Sequence, residues 1–465
     1  MMRLAQALLA GFAAAVIVAA VPAHAGEPAP PLRAAAQDAN TSRAADTKGS
    51  APHASNEDGR SISMDQAVAF ALEHNRDVIA ARLGIREAEL AEIAASIYPN
   101  PVLSYNVGNL VVGHGNPGNV AQGAPQNPGF FSQTQQTVGI SEIIDIWSKR
   151  GARMRAAERG VELRRFEVAD VLREIAYEVR TAYVEVCREQ AERQLRRDMR
   201  DGYGETIRLS RARRAAGEIS ESEFRKIELE GLRYETEVVT ADAELDLSRK
   251  RLAALLGLKS DVDLGSPLGD ESPPEMDLTL PPLVARAMKN RPDVRAAGQA
   301  HVFAEASLGA ARRERLPDIT LGVAYTHSEF LASGDNPNAL SFGVALPIPI
   351  FDRNQANVGR ADLYLRRAAN ESARLDVVVN HEVSDAVRRV ERAKTLLAFF
   401  EGGGMLERAD RARQVAEKSY QAGAISLLEL LEAQRTFLET RAQYLRAEYD
   451  YRKSRVDLRR AIGSD

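Results

Sequence analysis

Residues 216–257 read AGEISESEFRKIELEGLRYETEVVTADAELDLSRKRLAALLG, and residues 422–463 read AGAISLLELLEAQRTFLETRAQYLRAEYDYRKSRVDLRRAIG. Both open on the turn Ala-Gly-x-Ile-Ser and close on an apolar helix end followed by glycine. In the first, Phe224, Ile227, Gly231, Tyr234, Val238, Ala241, Leu245, Ser248, Leu252 and Leu255 lie on alternating steps of three and four, the spacing of a coiled-coil seam. In the second, Leu430, Ala433, Phe437, Thr440, Tyr444, Ala447, Tyr451, Ser454, Leu458 and Ala461 stand at the matching places. The second stretch carries a further seam through Leu428, Leu431, Leu438, Ala442, Leu445, Tyr449 and Val456, which predicts neighbours on two sides or a buried bundle position.

Working outward, each stretch is the returning arm of a helical hairpin. The outgoing arms are the long helical patterns 149–214 and 355–421, each on the order of 95 to 100 Å at about 1.5 Å per residue. Both hold glycines before their tips, Gly202 and Gly204 in one and Gly402-Gly403-Gly404 in the other, which mark candidate kinks because glycine costs about 1 kcal/mol in a helix interior. Upstream, residues 139–182 read again at 343–386, and 64–105 again at 281–321. A period of roughly 205 residues is too long for a solenoid, so one large unit has been duplicated and fused. Each opening helix, 63–98 or 280–316, is about half as long as the outgoing one, so an opening and a returning helix laid end to end would flank it fully.

Prolines Pro99, Pro101 and Pro317 end the opening helices and begin extended chain. Ile319, Leu321, Val323 and Tyr325 then alternate with Thr320, Gly322, Ala324 and Thr326, and Leu340, Phe342 and Val344 with Ser341, Gly343 and Ala345. In the first copy Leu103, Tyr105 and Val107 oppose Ser104, Asn106 and Gly108, and Val138 and Ile140 oppose Gly139 and Ser141. These are two hairpins. They suit a soluble half-buried sheet or a barrel wall, and the small, uncharged second face favours a wall with a lumen. Four strands cannot close a barrel, which needs about eight or more, so several chains would pool them.

The amino terminus reads as an export signal over 1–25: Arg3, an apolar run and the small-residue site Ala23-His24-Ala25, with a single membrane anchor as the alternative. Residues 26–61 lack periodicity and suit a flexible tail. The organisation expected is therefore a first repeat over 62–257, a linker over 258–279 and a second repeat over 280–463. The single cysteine, Cys187, excludes a disulfide framework and suits a structural thiol. With 61 basic and 65 acidic residues spread along the chain, no basic stripe points to nucleic acid. The seven histidines are scattered, and neither a nucleophile elbow nor a phosphate loop occurs, so the sequence gives no sign of an enzyme, a bound metal or a cofactor.

From 63 to 463 the chain resembles the TolC-type outer-membrane efflux family, through its duplication, its helix, strand, strand, long helix, tip, helix order, and the string Leu346-Pro-Ile-Pro-Ile-Phe-Asp-Arg-Asn-Gln355. That string looks most like the CzcC-type branch, whose members serve heavy-metal exporters of the resistance-nodulation-division class. On its own terms, Asp352 with Gln355 is expected to form a capping box at the start of the second long helix, and Ser148 to cap the first beside Trp147, an aromatic near a membrane boundary.

The resemblance implies a mainly α fold with a small β part: a homotrimer whose twelve strands form one barrel in outer-membrane lipid, continued by a periplasmic barrel of helices. It implies a passive exit duct working with a periplasmic adaptor and a proton-driven inner-membrane pump. It places a periplasmic gate at Glu429 and Glu432, where three copies would set six carboxylates in one constriction, attracting cations and raising one another's pKa values; exposed glutamates on a solvated helix face are the plain alternative. It places adaptor contacts at the tips, Gly217 with Ile219 and Gly423 with Ile425, where the glycines also suit helix C-caps. The cargo stays open among metal cations, drugs and a secreted protein, and a periplasmic coiled-coil scaffold is the reading from another class.

Overall fold

The structure, a computed structural model, describes residues 62–110, 134–259, 277–328 and 336–463. The expected signal and tail, most of the linker and the two strand-joining loops lie outside the described residues. The first copy of the unit runs α1 (Met64–His74), α2 (Arg76–Ser96), β1 (Val102–Gly108), β2 (Gln135–Ile144), α3 (Lys149–Ala215) and α4 (Glu221–Leu255). The second runs α5 (Leu280–Asn290), α6 (Pro292–Arg313), β3 (Ile319–Ser328), β4 (Asn338–Ala345), α7 (Gln355–Gly402), α8 (Met405–Gln421) and α9 (Leu427–Ile462).

Each opening helix is in two pieces rather than one. The chain turns extended at Asn75 (φ −63°, ψ 133°) and at Arg291 (φ −62°, ψ 124°). Asn75 breaks the helix because its carboxamide is better used there: Oδ1 accepts from the amides of Asp77 and Val78, capping α2, while Nδ2 donates to the Leu255 carbonyl at 2.8 Å. Arg291 precedes Pro292, whose ring disfavours helical backbone at the residue before it. Its guanidinium donates to the Ala461 carbonyl at 3.1 Å and to the carboxylates of Asp293 and Glu382. At both breaks a buried side chain holds the last turn of the returning helix of the same copy.

Those contacts realise the end-to-end arrangement. α2 and α4 both pack along α3, and α6 and α9 both pack along α7. α6 and α9 also pack on α3, which joins the two copies. The cores repeat with the sequence: Ala67, Ala71, Val179, Leu252 and Leu256 form one cluster, and Leu283, Ala287, Val383, Leu458 and Ile462 its counterpart. Truncating a fully buried member such as Leu252 to alanine costs about 2–5 kcal/mol. Cys187 sits at the edge of the first cluster, where burial pushes its thiol up to about 11, as suits a structural role.

α3 runs uninterrupted for 67 residues, about 100 Å, so Gly202 and Gly204 do not break it. Tyr203 between them is buried and donates its hydroxyl to the Ile227 carbonyl at 3.2 Å, which pins that turn. The other candidate is a true break: α7 ends at Gly402, and α8 starts after Gly404, whose φ is 60°.

The four strands form one antiparallel sheet in the order β1-β2-β3-β4. Its register aligns Tyr105, Val138, Tyr325 and Leu340 in one row and Leu103, Ile140, Val323 and Phe342 in the next. Directly paired residues share a face, so the bulky residues of all four strands form one continuous surface. The opposite face carries rows such as Ser104, Gly139, Ala324 and Ser341.

Both expected helix caps are corrected. α7 is capped by Asn354 in a left-handed conformation (φ 56°) with no side-chain capping bond, so Asp352 and Gln355 form no capping box. Asp352 instead accepts from the Asn354 amide at 2.8 Å, and Gln355 reaches back to the Arg353 amide and the Phe351 carbonyl, so the pair braces the turn before the helix. Ser148 is likewise left-handed (φ 53°) and makes no capping bond. Asp145 caps α3 in its place, accepting from the amides of Trp147, Lys149 and Arg150. The left-handed Ser148 leaves the first-turn amides of α3 without its hydroxyl, and Asp145 three residues upstream satisfies them instead. Trp147 donates its indole N–H to the Pro317 carbonyl at 2.9 Å, linking the two copies where strands give way to helices.

Candidate functional site

The two helical tips lie together. In the first, Gly217 has φ 76° and the amide of Glu218 bonds back to the Arg213 carbonyl; in the second, Gly423 has φ 71° and the amide of Ala424 bonds back to Ser419. These are left-handed helix ends that only glycine adopts without strain, so the C-cap role of both glycines is realised. Both glycines are exposed at the turn, whereas Ile219 and Ile425 are half-buried against a core cluster that includes Met199, Tyr203, Ile227, Leu427 and Leu430. The isoleucines therefore anchor the turns and the glycines present them.

Glu429 and Glu432 are exposed and one helical step apart on α9. Glu429 completes a capping box, accepting from the Ser426 amide at 2.9 Å while its own amide bonds to Ser426 Oγ at 3.4 Å. Glu432 makes no ion pair among the described residues. The offset between tips is 423 − 217 = 206, so the first-copy counterparts are Glu223 and Lys226, and only the second copy has a carboxylate at both positions. Asp352 and Gln355 belong to the strand-to-helix junction and are not part of this cluster.

The structure adds a group that periodicity did not single out. Tyr420, 2% exposed in the last turn of α8, shares a hydrogen bond of 3.3 Å between its hydroxyl and Ser210 on α3. Arg213 donates from Nη1 to the Tyr420 carbonyl at 3.0 Å and lies over its ring at 5.2 Å. A cation there also meets the negative end of the α8 dipole. Arg213 further pairs with Glu218 at 3.1 Å, so one guanidinium ties the first turn to the second. The available signal was a difference between copies: Tyr420 stands where 420 − 206 places Arg214.

Below the tips, Tyr203 and Tyr234 pack with ring centroids 5.0 Å apart, and burial pushes the Tyr234 phenol up to about 12. Among the described residues no group of three or more His, Cys, Asp or Glu side chains is arranged to hold a metal ion, and no helix is long and apolar enough to cross a membrane. The arrangement offers charge and a mechanical tie between the tips.

Known proteins share this architecture. The family model for outer membrane efflux proteins matches residues 68–258 and 283–464. The cobalt-zinc-cadmium resistance protein CzcC of Cupriavidus metallidurans is 27% identical over 392 residues, covering 83% of this chain and 86% of that one. The cation efflux system protein CusC of Escherichia coli is 27% identical over 240 residues, covering 49% of this chain and 50% of that one. A crystal structure of CusC aligns over 86% of this chain and 92% of that one with a TM-score of 0.66 at 20% identity. The outer membrane protein VceC of Vibrio cholerae aligns over 86% of this chain and 96% of its own with a TM-score of 0.66 at 19% identity. With both copies of its duplicated unit matched, this chain belongs to the outer membrane efflux protein family.

Proposed function

We propose that this protein is the outer-membrane exit duct of a tripartite efflux system that exports heavy-metal cations such as cobalt, zinc or cadmium. Three copies pool their sheets into one twelve-stranded barrel, and their helices continue it through the periplasm to a gate at the second tips. In this reading the mature chain is a tail followed by repeats 62–257 and 280–463, the tips meet a periplasmic adaptor, and a proton-driven inner-membrane pump supplies the energy.

The observation that carries the reading is the sheet. Among the described residues its edge strands β1 and β4 are each paired on one side only, and its bulky face is open, with Leu103 73%, Phe342 76% and Val344 73% exposed. Open edges and an apolar face of that kind are stable only if further strands close them and lipid covers them.

The duplication supports threefold closure. In α9, Leu438 and Leu445 are buried among Leu195, Met199 and Tyr203 of α3. Their counterparts in α4, at 438 − 206 and 445 − 206, are Leu232 and Val239, which are 59% and 68% exposed. Likewise Met199 is buried while its counterpart Met405 is 39% exposed. The contact that α9 makes with α3 within one chain is thus left unmade by α4, and α7 and α8 of a neighbouring copy offer the matching surface.

The metal assignment rests on the relatives named for cobalt, zinc and cadmium resistance and for cation efflux. Deleting the gene and plating on graded cobalt, zinc and cadmium tests it. Raised sensitivity restored by the wild-type gene supports a metal cargo. Unchanged metal tolerance with raised sensitivity to organic solvents or antibiotics would assign the duct to another pump.

A further inference from the structure

We propose that the strand-to-helix junction of the second copy binds anionic phospholipid headgroups, with Arg312, Arg315 and Arg353 holding the phosphates beside the exposed apolar stretch 346–351. The proposal rests on the exit-duct reading, which puts the bulky sheet face in lipid and this junction at the membrane surface on the helical side.

The junction is one level of the molecule. β2, β3 and β4 each have an end there, at Ile144, Ile319 and Ala345. Asn354 Nδ2 donates to the Ala311 carbonyl at 2.9 Å, which sets the start of α7 beside the end of α6, and Arg313 donates to the Trp147 carbonyl at 2.9 Å, which brings in the start of α3. The stretch 346–351 passes this level with Ile348 75%, Ile350 59% and Phe351 91% exposed. Apolar and aromatic side chains at such a boundary lie among headgroups and the first carbons of the acyl chains.

The same level carries an excess of positive charge. In 145–153, 312–318 and 352–353, seven basic residues stand against four carboxylates. Those carboxylates are engaged: Asp318 accepts from Lys149 at 2.9 Å, Glu314 pairs with Lys149 at 3.8 Å and with Arg153 at 3.7 Å, Asp145 takes first-turn amides of α3, and Asp352 takes the Asn354 amide. The exposed guanidiniums of Arg312, Arg315 and Arg353 make no ion pair or side-chain hydrogen bond among the described residues. The first copy does without them: aligned at the prolines, 317 − 101 = 216, Arg312, Arg313 and Arg315 fall on Ser96, Ile97 and Pro99. The charge is therefore not needed to build the repeat. Nor would a neighbouring copy neutralise it, because barrel closure sets β4 against the next chain's β1, whose approach segment 97–101, Ile-Tyr-Pro-Asn-Pro, has no charge. A guanidinium fork matches phosphate geometry and the apolar stretch suits acyl chains, so one anionic phospholipid complements both.

Lipid binding to the purified full-length protein in detergent micelles, read by native mass measurement, tests this. The probes are dioleoylphosphatidylglycerol and the zwitterionic dioleoylphosphatidylcholine, with inorganic phosphate as a competitor that has no chains. The expected result is a preference of about tenfold or more for the anionic lipid, little affected by phosphate. Arg312→Gln with Arg315→Gln and Arg353→Gln is expected to abolish that preference while binding of the zwitterionic lipid and the melting temperature stay unchanged. A control with Arg82→Gln, Arg211→Gln and Arg286→Gln, at exposed arginines on α2, α3 and α5, is expected to keep it. Equal affinity of the wild type for both lipids overturns the proposal, and so does a preference that survives the junction replacements or is lost equally in the control. Displacement of the anionic lipid by phosphate at equal concentration overturns a lipid as the occupant. Should the triple variant not fold, the three single variants decide, each expected to weaken the preference about twofold or more. Wild-type conductance in phosphatidylcholine bilayers is read in parallel: its absence would overturn the duct, whereas a conducting chain indifferent to headgroup charge would overturn only the lipid site.

Discussion

The Arg213 guanidinium on α3 donates to the Tyr420 carbonyl on α8 at 3.0 Å, joining the two tips across 207 residues of sequence. A hydrogen bond from a charged donor is worth about 1.5–3 kcal/mol, enough to change a two-state population roughly tenfold or more. Replacing Arg213 by Gln is expected to raise the open probability of single channels by about that factor. Recordings in planar bilayers check it, and an unchanged open probability would remove the tie from the gate.

The exposed stripe of α4 makes the second prediction. Val239→Asp places a charge on a surface proposed to be covered by the next copy, while leaving the buried seam of Phe224, Ile227 and Leu245 untouched. Assembly is expected to fail while helix content is retained. Native mass measurement with circular dichroism checks this, and a trimer of unchanged stability would mean that α4 faces solvent.

Arg291 and Asp293 give a third, with a pH dependence. Burial opposes the charge on Asp293, but the hydrogen bonds and charge of Arg291 outweigh it and hold the carboxyl below its ordinary value of 3.8. A carboxyl depressed on folding adds stability that is fully present above its unfolded value and is lost as pH falls through the folded one. Melting temperature is therefore expected to fall below about pH 4, with a smaller acid-side loss in Asp293→Asn. Arg291→Ala, which strands the half-buried Asp293 carboxylate and the Ala461 carbonyl, is expected to cost about 3 kcal/mol at neutral pH.

Much of this fold is written in local patterns. Heptad steps fixed the returning helices, and alternation fixed the four strands with the correct bulky face, because both record one-sided burial along a single element. The breaks at Asn75 and Arg291 were hidden because the apolar pattern runs through them; what ends the helices is a long-range bond to Leu255 in one and to Ala461 in the other, with Pro292 as the one local hint. The cap at Asp145 was missed because a left-handed Ser148 cannot be read from residue type. Of the candidate site, Glu429 and Glu432 enter through the family resemblance, with only Glu432 against Lys226 as a difference between copies, whereas the tie from Arg213 to Tyr420 depends on how two hairpins pack and leaves only the contrast of Tyr420 with Arg214.

Glu429 and Glu432 carry the fourth prediction. Glu429→Gln keeps an oxygen able to reach the Ser426 amide, so the capping box survives while the charge is lost. The double variant with Glu432→Gln is expected to assemble normally and to show reduced preference for cations over anions. Reversal potentials across a salt gradient measure it, and an unchanged preference would move the gate elsewhere.

The central claim is that several copies of this chain form one continuous pore across a membrane. Adding the purified full-length protein to a planar lipid bilayer tests it most directly. Discrete conductance steps with a preference for cations are the predicted result; a bilayer that stays silent with correctly folded protein present would contradict the claim.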